Sequence, residues 1–158
     1  MEVLRSYTSY QNCLDAVHRL QSTSAVCKAL LGEKYFVCIL IESEDKKIPP
    51  KDIEGLKSCF IAIPKERVIW KMYSEDDALH RNYMFFEDTI GALPKYVWSS
   101  ISRACSILPS CSATIFLANF KTSVLINIYD DRGMDILVSD ADSALPLINN
   151  SLTTVSKL

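Results

Sequence analysis

Between Ala113 and Val138, three short apolar runs follow one another with little chain between them. Ala113 to Asn119 and Val124 to Tyr129 carry the β-branched and aliphatic residues that suit strands, and Asp135 to Val138 is a third such run. A few linking residues suffice for an antiparallel hairpin, whereas a parallel pair needs a crossover of about a dozen residues or more. This stretch commits the chain to an antiparallel sheet. The second turn, Tyr129-Asp130-Asp131-Arg132-Gly133-Met134-Asp135, fits hairpin geometry. Asp130 can accept from backbone amides, and Gly133 supplies a left-handed residue without a Cβ penalty.

The remaining elements alternate between helical and extended patterns. Cys13, Val17, Leu20, Ser24, Cys27 and Leu31 recur at steps of three and four, which predicts a helix from Ser9 to Leu31. Ser9 is placed to cap its start, and Gly32 to end it. The uninterrupted apolar run from Tyr35 to Ile41 predicts a central strand buried on both faces. Glu42 to Pro50 is charged and ends in two prolines, so it reads as a loop. A short helix is expected from Lys51 to Cys59, a strand from Phe60 to Ile63, and another from Arg67 to Tyr73. Residues 74–88 fit either a loop with a helical turn or an added strand. Val97, Trp98, Ile101 and Cys105 predict a helix from Pro94 to Cys105, with the proline tolerated in its first turn. A final helix should begin near Asp140 or Asp142, since a carboxylate suits a helix N-terminus.

The 158-residue length fits one domain over 1–158, and the pattern is α+β: an antiparallel sheet with helices packed mainly on one face. A formal charge of -2 and a pI of about 5.7 argue against a nucleic-acid partner, which requires a basic surface. No run reaches the ~18 consecutive apolar residues of a membrane span, and Met1 to Tyr10 has no apolar signal segment. The six cysteines form no C-x-x-C pair, and several lie in apolar runs, the pattern of reduced thiols in a cytoplasmic protein.

Signatures of catalysis are missing. The four glycines, Gly32, Gly55, Gly91 and Gly133, stand singly, which excludes the glycine-rich phosphate loops, and no G-x-S-x-G elbow is present. With only His18 and His80, no paired-histidine zinc spacing exists. No catalytic, cofactor-binding or metal-binding residue is therefore assigned, and no cofactor is expected. One alternative is a small metal-dependent enzyme in which Asp130, Asp131 and Asp135 hold a cation and His80 serves as general base. The acidic clusters Glu42, Glu44 and Asp45, and Glu75, Asp76 and Asp77, together with the turn residues Asp131 and Arg132, can instead form a negative surface for a basic protein. Tyr73, Tyr83, Phe85, Phe86 and Tyr129 lie near them as aromatic anchors, with core packing as their competing fate.

The block from Ala113 to Val138, with its Tyr129–Asp135 turn, resembles a bacterial family of unknown function whose members carry a strand, a turn, a second strand and a YDDRG-x-D hairpin. The helix from Pro94 to Cys105 fits the same pattern. That family closes with a helix bearing tyrosine and tryptophan, whereas Leu145 to Leu152 has neither. By type, the chain is similar to the immunity proteins of contact-dependent growth inhibition toxins. That likeness implies a cytoplasmic protein that covers the active site of a cognate toxin domain, such as a nuclease.

Overall fold

A computed structural model describes residues 2–7, 13–104, 107–129 and 133–155. The described elements run in the order β1 (Glu2–Tyr7), α1 (Cys13–Leu31), β2 (Lys34–Ser43), α2 (Pro50–Ser58), β3 (Val68–Ser74), β4 (Leu79–Thr89), α3 (Leu93–Ala104), β5 (Thr114–Asn119), β6 (Val124–Ile128), β7 (Gly133–Val138) and α4 (Ala141–Val155). Seven strands make one sheet in the order β1-β7-β6-β5-β2-β4-β3. Every pairing is antiparallel. The fold is α+β, as the three C-terminal runs require. Among the described residues, no helix is long and apolar enough to cross a membrane.

Side chains alternate across a strand, so register determines which residues share a face. Tyr35, Val37, Ile39 and Ile41 of β2 point to one side, with Met84 and Phe86 of β4, Ile115 and Leu117 of β5, and Ile126 of β6. All of them are buried. The helices α1 and α3 pack over β5 and β6 on that side, and α4 packs against α1. The core lies between this layer and the sheet.

The other face differs from expectation. The uninterrupted apolar run of β2 predicted burial on both sides, yet burial alternates along the strand and Phe36 stays 39% exposed. A strand reads as doubly buried when both its faces are apolar, but a second covering layer must exist to bury it. The helices supply one layer only.

The rest of the chain shows where local pattern and tertiary context part. Helix α1 buries Cys27 and Leu31 of the predicted face, with Leu20 packed against the core, but Val17 is exposed and Ala16, Arg19, Thr23, Val26 and Leu30 are buried as well, so the packed face is wider than predicted and shifted in its first turns. Flanked by both α3 and α4, the helix is covered according to its neighbours and not its most apolar stripe. Gly32 ends it at φ +70, the left-handed residue expected there. Ser9 and Cys105 lie outside the described residues.

The strand expected from Phe60 to Ile63 does not form. Phe60 is left-handed at φ +61, and the amides of Phe60 and Ile61 donate to the carbonyls of Lys57 and Leu56. This is the paired cap that terminates α2, with a phenylalanine in the position glycine normally takes. Residues 79–89 form the longest strand, β4. β1, unmarked by any pattern in the sequence, pairs along all of β7. Asp140 caps α4 by accepting from the Asp142 amide and the Ser143 hydroxyl, and Ser143 holds its carboxyl below the ordinary range.

Candidate binding surface

The face of the sheet turned away from the helices carries a band of rings. Register places Trp70 of β3 opposite Tyr83 of β4, and Cys38 of β2 between Phe85 of β4 and Phe116 of β5. Trp70 stacks on Tyr83 with ring centroids 5.1 Å apart, and Tyr83 lies 6.3 Å from Phe85 with the planes 13° apart. Phe36 meets Phe120 at 5.1 Å across the β2–β5 boundary. Beyond it, Ala118, Phe120, Leu125 and Leu137 line a shallow hollow of about 290 Å³. Trp70 is 54% exposed and Phe120 73%. Contiguous exposed apolar surface of this kind marks an interaction site in soluble proteins.

Charged groups close the two ends of the band. At one end Lys34 pairs with Glu87 across β2 and β4 at 3.4 Å. At the other, the Arg81 guanidinium donates to Glu42 at 2.8 Å and also pairs with Asp77. Hydrogen bonding from Ser74, and then the nearby Arg81, holds the Asp77 carboxyl below the usual range. Beside this network opens a cleft of about 540 Å³ lined by Glu42, Glu44, Asp45, Lys51 and Asp52. Its shape is fixed from below: the buried Asp52 accepts from Ser112 at 2.5 Å, and Ser43 donates to the Asp45 carbonyl at 2.6 Å.

The structure therefore brings together residues from two of the predicted clusters. Glu42 meets Asp77 through Arg81, because Ser43 lies opposite His80 and Ser74 opposite Leu79, and Glu44 and Asp45 line the adjoining cleft with Glu42. Glu75 and Asp76 are exposed in the same β3–β4 turn. Asp131 and Arg132, with Asp130, lie outside the described residues.

Asp135 sits within β7 opposite Asn127, and His80 within β4, four strands away in the sheet order. At about 4.8 Å per strand that is roughly 19 Å, and the two point to opposite faces. They cannot act on one atom. His80 instead lies against Tyr73, centroids 4.8 Å apart. Among the described residues, no group of three or more His, Cys, Asp or Glu side chains is placed to hold a metal.

Of the five aromatics named from sequence, Tyr83 and Phe85 belong to the open face, Phe86 is in the core, Tyr73 faces His80, and Tyr129 is half-buried just beyond β6. Trp70, Phe36, Phe116 and Phe120 were missed. For Phe36 the signal was the apolar character of both alternating sets in β2, read as double burial.

Taken together, these features define an α+β domain with a one-sided sheet, whose uncovered face is aromatic and acidic at one end. The chain belongs to the family described as a domain of unknown function, DUF3885, whose model matches residues 9–151. Comparison with curated proteins and with solved structures gives no match.

Proposed function

We propose that this chain is a binding protein, an immunity protein that neutralises a cognate bacterial toxin domain by covering its active site with the open face of the sheet. The observation that carries the reading is the Trp70–Tyr83–Phe85 stack beside the carboxylates of Glu42, Glu44, Asp45 and Asp77. Rings already stacked lose little side-chain freedom on docking, and aromatic residues dominate the energetics of interface centres. A rim of negative charge favours a basic partner and speeds its encounter, a fit for a nuclease that must itself attract phosphate. The Tyr129–Asp135 turn, through which the chain resembles proteins with a YDDRG-x-D hairpin, supports the family and not a chemistry.

Titration calorimetry against the purified product of the gene adjoining this one tests the proposal. Binding at or below micromolar concentration, weakened by Tyr83→Ala and by Glu42→Gln/Asp45→Asn, is expected. Absence of binding at micromolar concentration overturns it.

A further inference from the structure

Among the described residues strand β3 is an edge of the sheet, paired with β4 alone, and no described strand lies beside its outer row of backbone groups. Natural edges of this kind are blunted by charge, proline or a bulge. β3 is not. It is seven residues long and exposes Val68 and Trp70 on one face and Ile69 and Tyr73 on the other, with Lys71 its only charge. Both faces are apolar at an unpaired edge, the signature of a strand that pairs with another.

The flanking charges identify the occupant. Lys65, Glu66 and Arg67 precede the strand and leave a net positive start, and Glu75 and Asp76 follow it, all of them exposed. Asp77 is already engaged by Arg81. A strand with a basic start and an acidic end complements itself when it is turned end for end. We infer that β3 is a dimerisation edge, and that two copies of this chain join antiparallel through it about a two-fold axis normal to the sheet.

A two-fold contact of this kind is made by the same patch on both copies, so each favourable pair occurs twice. Centred on Trp70, the pairing sets Val68 against Met72, Ile69 against Lys71 and Lys65 against Glu75 of the second copy. Centred on Lys71, it would place two ammonium groups directly opposite each other, which is destabilising. The Trp70 register avoids that clash and brings the two tryptophans together at the axis. Each is held by its stack on Tyr83, so little side-chain freedom remains to be lost. The open faces of the two copies then form one continuous surface across both sheets.

This inference does not depend on what the open face binds, and its test contains no other protein. Sedimentation velocity of the full chain up to about 100 µM should give twice the 17.8 kDa chain mass. Lys65→Glu/Arg67→Glu and Glu75→Lys/Asp76→Lys, each alone, should run as monomers, with dimer affinity reduced at least about tenfold. Mixed in equal amounts they should recover the dimer, since reversed charges then meet at both ends of the edge. A wild-type chain that stays monomeric at that concentration overturns the inference and leaves the edge to a strand from a different protein. Variants that each dimerise as well as wild type overturn it too, placing the contact elsewhere.

Discussion

The two faces of the sheet are built from similar residues and serve different ends. On the covered side, Val37, Ile39, Leu117 and Ile126 are sealed from water by α1 and α3. On the open side, Phe36, Leu40, Phe116 and Leu125 are as apolar, yet half-buried or exposed. Composition alone therefore does not divide core from surface. What divides them is whether a second layer lies within reach, and the chain supplies helices to one side.

The largest test of this contrast is a truncation under the helices. Leu117→Ala, at a fully buried position, should lower unfolding free energy by about 2–5 kcal/mol in denaturant melts. Tyr83→Ala on the open side should remove about 2 kcal/mol or more of partner affinity, read by calorimetry, while stability falls by a smaller amount than for Leu117→Ala. Equal stability losses would break the contrast.

An acid titration sharpens it next. Asp88, on the covered side, resists burial that would raise its pKa, because it accepts from the Tyr96 hydroxyl at 2.6 Å and the Thr89 amide at 2.8 Å with Lys95 nearby. Its carboxyl is held below the ordinary value, so it stabilises the fold above about pH 4, the unfolded value, and that contribution is lost as pH falls through the folded one. Asp88→Asn should lower stability at neutral pH by about 1–2 kcal/mol and flatten the acid limb of the stability curve.

Thiol labelling compares the faces directly. Burial pushes the covered Cys27 up to about 12 and the open-face Cys38 up to about 11. Cys27 is fully buried and Cys38 only partly so, so mass spectrometry after alkylation of the native protein should find Cys38 modified first. The smallest effect is expected at the rim. Glu42→Gln removes one carboxylate from the Arg81 network and should change stability by about 1 kcal/mol or less, as for other exposed pairs.

The elements legible in the sequence are those whose signals were local. Gly32 ending α1, Asp140 starting α4 and the short turns between β5, β6 and β7 all fix geometry within a few residues. β1 was not legible, because Glu2 to Tyr7 become a strand only beside β7, more than a hundred residues on. Phe60 misled for the opposite reason: an apolar residue suggested a strand where the cap of α2 required a reversal. At the candidate surface, the acids of 42–45 and of 75–77 were legible as two clusters. Their union depends on Arg81, whose reach across to Glu42 is a consequence of β2–β4 register.

The end of α1 shows what such distant dependence means for the order of assembly. The Asn119 side chain donates to the Leu31 carbonyl at 2.6 Å across 88 residues, and the Thr122 hydroxyl reaches the Leu30 carbonyl at 3.3 Å. The last carbonyls of the helix therefore receive donors from a hairpin made much later in the chain. Its turns, the Gly32 cap included, can close on local hydrogen bonds, but the Leu30 and Leu31 carbonyls gain these side-chain donors only once that long loop has closed, a step that carries the loop's entropic cost.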